Sequence, residues 1–147
     1  MKNITVVIVT YNTPENIILD CLNSIDKDIK ILIIENSDKF LFENLLLSKF
    51  NNVKISCSGK NLGYGAGNNF GLKQVNTEYA LILNPDAFLE KGTLDRLLST
   101  AYKFKDFSII GPAKQDEFSN TEREDDKADV FKVSTLKGFA MFLNLKQ

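Results

Sequence analysis

Histidine and tryptophan are absent from this 147-residue sequence, and cysteine and proline are scarce, at two and three residues. Without imidazole, the general-base, nucleophile-activating and metal-binding roles often given to histidine must fall to carboxylates, amides or backbone. This argues against Ser/His hydrolase and zinc-hydrolase readings. Cys21 and Cys57 are too few and too far apart for a disulfide framework or a metal knuckle. No apolar run approaches the roughly 20 residues a membrane helix needs, so any membrane contact would be peripheral. The opening MKNITVVIV enters a strand without a signal-peptide core or cleavage site, which reads as cytoplasmic, with at most a place at the inner membrane face. A large charge of either sign is also missing. Eighteen basic against 19 acidic residues give a net charge of -1, which excludes a global field for nucleic acid and leaves partner choice to a local site. What is present, 44% hydrophobic and 25% charged residues, suits one soluble domain with a real core.

Along the chain, strand and helix patterns alternate. Ile4 to Val9 is a β-branched run fit for a strand buried on both faces. A helix is expected to start within TYNTPEN, with Thr13 as N-cap and Pro14 in the first helical position, burying Ile18, Cys21, Leu22 and Ile25. Lys30 to Ile34 reads as a second strand, Lys39 to Phe50 as a helix and Val53 to Cys57 as a third strand. The glycine-rich GKNLGYGAGNN then precedes a helix from about Gly67 to Val75, and Tyr79 to Leu83 is a fourth strand. A helix from Thr93 to Phe104 and a strand from Phe107 to Ile110 follow. Residues 115–129 read as a solvated acidic loop, with short strands at Val130 to Val133 and Phe139 to Leu143. This alternation predicts an α/β domain with an open, mostly parallel sheet flanked by helices, because each parallel return needs a crossover. Ligands of such sheets bind at the carboxyl ends of the strands. Those ends are TYN, ENSD, the glycine loop and NPD.

Each end offers chemistry and a plainer alternative. Backbone N–H groups of the loop from Asn61 to Asn69 could cradle a phosphate at a helix N-terminus; equally, its glycines permit a tight loop packed on the sheet. A dinucleotide fingerprint is set aside, since the loop follows the third strand and its glycines alternate. Glu35 can accept from a nucleobase N–H or a ribose hydroxyl, or be a turn acid. Tyr11 can stack on a base, or cover the core as an edge aromatic. Asp86 is a hard oxygen ligand suited to one side of Mg2+ or Mn2+, or a turn residue after a strand.

Taken in order, VIVTYN, IIENSD, NLGYGAGNNFGL and YALILNPDAFLEKGTLDRLL resemble the family 2 glycosyltransferases with a GT-A fold, in the rhamnosyltransferase-like branch. The resemblance covers about residues 4–114 and returns in LKGFAMFL. It implies a UDP- or dTDP-sugar donor bound at Thr10, Tyr11, Asn12, Glu35, Asn61, Gly63, Gly67, Asn68, Asn84 and Asp86. Thr10, Tyr11 and Asn12 would meet base and ribose, and Glu35 would stand where the family usually has an Asp that reads the base. Asn84 and Asp86 would replace a D-x-D motif, with Asp86 holding the cation against the donor diphosphate. It further implies inverting transfer to a glycan or lipid-linked acceptor in surface polysaccharide synthesis, through a carboxylate base downstream of the strand resembling LKGFAMFL.

No such base segment is identifiable in these 147 residues, and EREDD at 122–126 precedes the wrong strand and reads as a solvated charge run. The expectation is therefore the donor-binding part of such a site, incomplete at the C-terminus: a fragment, a pseudoenzyme, or a half-site completed by a partner. An unfinished sheet edge near Phe139 to Leu145 would invite self-association or a partner subunit. Two rivals remain, a non-catalytic nucleotide-sugar or partner-binding module and a nucleotidyltransferase-like enzyme. The latter would want a basic glycine loop near the first strand, and VIVTYN supplies none.

Overall fold

The computed structural model describes residues 2–112, 130 and 132–146. Its centre is a six-stranded sheet in the order β3-β2-β1-β4-β6-β5. The strands are β1 (Ile4–Thr10), β2 (Lys30–Glu35), β3 (Val53–Cys57), β4 (Tyr79–Leu83), β5 (Ile109–Ile110) and β6 (Ala140–Asn144). β1 to β4 run parallel, and β6 is antiparallel to both β4 and β5. Every residue of β1 is buried, as its unbroken β-branched run requires of a strand covered on both faces.

The helices divide unequally between the faces. α1 (Glu15–Asn23), α2 (Glu43–Lys49) and α4 (Thr93–Lys103) pack Ile18, Leu22, Leu46, Leu94 and Leu98 against Ile4, Val6, Ile8, Ile31, Ile33 and Leu81. On the other face, among the described residues, α3 (Gly63–Leu72) and the following Val75 cover Val7, Val9, Leu32 and Ile34. Its spacing to the sheet is set by two glycines one turn apart. A Cβ on Gly71 would lie 2.7 Å from Val7 Cγ1 and 2.9 Å from Ile34 Cγ1, and one on Gly67 would lie 3.0 Å from Val9 Cγ1. Gly65, on the same helix, has nothing within 4 Å of such an atom. Opposite outcomes are expected for the same substitution. Gly71→Ala overpacks the sheet face and should cost about 1–2 kcal/mol, whereas Gly65→Ala should stabilise by about 0.5–1 kcal/mol through helix propensity. Urea unfolding of the two variants checks the difference in sign.

Several boundaries differ from the sequence expectation, each for a visible reason. α1 starts at Glu15 with Pro14 as N-cap, because the Thr13 hydroxyl instead accepts the Tyr11 N–H at 3.2 Å. α2 starts at Glu43, since Phe40 and Phe42 meet edge to face and pack on the core rather than continue a helix. α3 starts at Gly63, not Gly67: the Asn61 side chain accepts the Gly63 N–H at 2.8 Å, closing the loop early. β5 shrinks to two residues because Phe107 turns onto Phe142, and residues 130, 132 and 133 form no strand. The strand expected near Phe139 is no sheet edge. β6 lies between β4 and β5, its Phe142 fully buried. The acidic loop at 115–129, EREDD included, lies outside the described residues. Among the described residues no helix is long and apolar enough to cross a membrane.

Candidate functional site

The parallel order carries the ends of β1 to β4 to one edge of the sheet. There a cleft of about 420 Å³ is lined by Tyr11, Asn12, Thr13, Pro14, Ile17, Tyr64, Asn84, Pro85 and Asp86. Of the expected donor contacts, four line it: Tyr11, Asn12, Asn84 and Asp86.

The NPD stretch is both a turn and a cleft wall. The Ala87 N–H bonds the Asn84 carbonyl at 3.0 Å, placing Pro85 and Asp86 at the two central turn positions, where proline's fixed φ suits the first. Asp86 is exposed, while the Asn84 side-chain oxygen is buried without a hydrogen-bond partner. Beneath the turn, the Cys21 thiol points to the Asn84 carbonyl at 3.8 Å. Burial, and then the charge of Asp86, push that thiol up to about 12. Cys21 is therefore a core residue, as its place on the apolar face of α1 suggests.

The opposite wall is Tyr64, in the first turn of α3, whose hydroxyl donates to the Gly138 carbonyl. The next carbonyl, of Phe139, accepts the Asn84 N–H at 2.9 Å. Two successive carbonyls of the segment entering β6 thus tie together the α3 side and the β4 side of the cleft. Tyr64, Thr13, Pro14 and Ile17 were not anticipated as site residues. The aromatic inside GYG was the available signal for Tyr64; the other three were absorbed into the start of α1.

The remaining expected contacts do not line the cleft. Thr10 and Glu35 are 0% and 1% exposed, and the Thr10 hydroxyl donates to a Glu35 carboxylate oxygen at 2.7 Å. Gly67 and Asn68 are buried on the sheet side of α3, the Asn68 amide donating to the Tyr64 carbonyl at 3.0 Å. Asn61 and Gly63 form the turn that opens α3, where Gly63 has φ +75°. Glycines 65 and 67 are helical, so the glycine-rich stretch passes at once into the first turns of α3.

Among the described residues no group of three or more Asp, Glu or Cys side chains is gathered as a metal cage. The cleft does present a hard oxygen ligand, the exposed Asp86 carboxylate, and the partnerless Asn84 amide oxygen lies buried in the same wall, oxygen chemistry that suits Mg2+ or Mn2+ completed by water and phosphate.

The chain has similar proteins of known sequence and structure. The low-salt glycan biosynthesis hexosyltransferase Agl10 of Haloferax volcanii is 28% identical over 116 residues, which are 76% of this chain and 36% of that protein. Residues 1–349 of S. aureus TarS, solved in complex with UDP-GlcNAc, share 24% identity and a TM-score of 0.62 over 74% of this chain and 33% of that one. Mannosyltransferase PcManGT from Pyrobaculum calidifontis, solved with GDP-Man and Mn2+, has a TM-score of 0.69 at 14% identity over 98% of this chain and 45% of its own. The chain thus spans about a third of the curated relative it matches. The sheet order and these likenesses are those of a GT-A-like fold. The model of glycosyl transferase family 2 matches residues 5–145, and the chain belongs to that family.

Proposed function

We propose that the cleft at the ends of β1 and β4 binds a nucleoside-diphosphate sugar, a UDP- or dTDP-sugar, together with Mg2+ or Mn2+. In this reading it is the donor site for inverting glycosyl transfer, to a glycan or lipid-linked acceptor in surface polysaccharide synthesis. The observation that carries it is the charge of the lining: among the described residues, one carboxylate, Asp86, and no lysine or arginine. A diphosphate placed there would meet an acid and no counter-charge, so a divalent cation is the group that makes the two compatible. Asp86 and the Asn84 side-chain oxygen would hold it. When bound, the ion stabilises the negative charge that grows on the departing nucleoside diphosphate.

The chain's own residues do the rest by shape. The half-exposed ring of Tyr11 offers a face for a base, and Tyr64 and Pro14 narrow the cleft so that a ligand lies along the turn that presents Asp86. Proteins of this fold bound to UDP-GlcNAc, or to GDP-Man with Mn2+, support the ligand class. The test is calorimetry with UDP, dTDP and GDP, each with and without Mn2+. Binding of at least one, strengthened by the ion, is expected; no metal-enhanced binding of any of the three would overturn the reading.

A further inference from the structure

Glu35 sits where a base-reading acid is expected, yet it is closed off from the cleft. It pairs in register with Thr10 at the ends of β2 and β1 and, among the described residues, makes no ion pair. One carboxylate oxygen accepts the Thr10 hydroxyl and the other accepts the Ser37 N–H, both at 2.7 Å. The Ser37 hydroxyl oxygen in turn accepts the N–H of Asn12 at 2.6 Å, and the Thr10 carbonyl accepts the N–H of Asn36 at 2.8 Å. The chain of bonds therefore runs from a buried acid to Asn12, a cleft residue at φ 49°, in the left-handed region that ordinary side chains avoid.

A carboxylate buried without a cation is costly, and an apolar side chain of similar size would cost less there. What the acid supplies is two oriented acceptors at once, one for a hydroxyl on the first strand and one for a backbone N–H at the end of the second. Each already holds one partner. An acid engaged in this way and 1% exposed does not present either oxygen to the cleft.

We propose that Glu35 is a positioning residue: through Thr10 and Ser37 it holds the Tyr11–Asn12 turn in its left-handed shape, and it does not read the nucleobase. The proposal rests on the donor-site reading only for what the shaped turn is used for. Glutamine can replace the acid, because its oxygen can accept from Ser37 while the Thr10 hydroxyl turns to accept from its amide. Aspartate, one methylene shorter, cannot span both partners without moving a strand end. A base reader would behave in the opposite way, tolerating aspartate and responding to glutamine with altered base preference.

The test uses Glu35→Gln, Glu35→Asp and Ser37→Ala, with two readouts. The first is amide hydrogen exchange of Asn12 in nucleotide-free protein; the second is the affinity for UDP and for GDP with Mn2+ present. Glu35→Gln is expected to keep Asn12 protection and both affinities within about twofold, whereas Glu35→Asp and Ser37→Ala should speed Asn12 exchange and weaken both nucleotides by a common factor of about ten. Ser37→Ala leaves the acid in place, so a general loss of folding at Glu35 cannot imitate the result. A shifted ratio of UDP to GDP affinity in Glu35→Gln, or unchanged Asn12 exchange in Ser37→Ala, overturns the proposal. Should the unaltered protein bind no nucleotide, the donor-site reading falls, and Asn12 exchange in Glu35→Asp still decides whether Glu35 holds the turn.

Discussion

Replacing Phe142 with alanine is expected to remove about 3–5 kcal/mol of stability, a large part of the roughly 5–15 kcal/mol that holds a domain of this kind folded. Phe142 is 0% exposed and lies opposite Leu81 in the β4–β6 register. Its ring stacks on Tyr79 at 5.3 Å and on Phe107 at 5.9 Å between centroids. Alanine would therefore leave a cavity bounded by two aromatic faces and by helix α4, whose Leu98 and Ala101 belong to the same core. Tyr79 is held by the β4–β6 pairing and β6 itself by partners on both sides, which limits collapse into the gap. A strand at an open edge would give a different result: there the same truncation would cost about 1 kcal/mol or less, since the ring would be partly solvated already. Equilibrium unfolding in urea separates the two cases. A small loss with an unchanged denaturant slope would contradict the interior placement of β6.

The second large effect concerns binding and leaves the fold alone. Asp86→Ala is expected to weaken nucleoside-diphosphate binding in the presence of Mn2+ by about a hundredfold, ~2.7 kcal/mol, and to make the remaining binding indifferent to the metal. Asp86 is exposed, and the backbone bond from Ala87 N–H to the Asn84 carbonyl, with Pro85 between them, maintains the turn without the carboxylate. Stability should accordingly change by no more than about 0.5 kcal/mol. Asp86→Asn keeps an oxygen of similar reach but removes the charge, and should show an intermediate loss. An unchanged titration for Asp86→Ala would reduce the residue to a turn former, one of the two roles its sequence context allows.

Much of the framework could be read from residue patterns, because the patterns that specify it are local. ITVVIV, KILII and YALIL each carry the continuous apolar run that a doubly covered strand needs, and all three form strands at the centre of the sheet. The convergence of TYN and NPD also followed from topology, since parallel strands place their carboxyl ends together. What was not legible depends on contacts between distant segments. Gly63 and Gly65 read as loop residues yet lie in α3, and only the approach of Gly67 and Gly71 to Val9, Val7 and Ile34 shows why that helix uses glycine. Glu35 looked available at a strand end, and only its bonds to Thr10 and Ser37 reveal that it is committed. Tyr64 gained its place from a carbonyl 74 residues away, a pairing that no sequence window contains.

Paramagnetic broadening of amide signals by Mn2+ locates the ion without reliance on catalysis. In the presence of UDP, or whichever nucleotide binds, substoichiometric Mn2+ should broaden Asn84, Asp86 and Ala87 first and Tyr11 and Asn12 next. Asn52 and Lys54, at the opposite end of the parallel strands, should stay sharp. The pattern should disappear in Asp86→Ala. Broadening centred elsewhere, or equal broadening with and without the Asp86 carboxylate, would contradict a metal-dependent donor site at the end of β4.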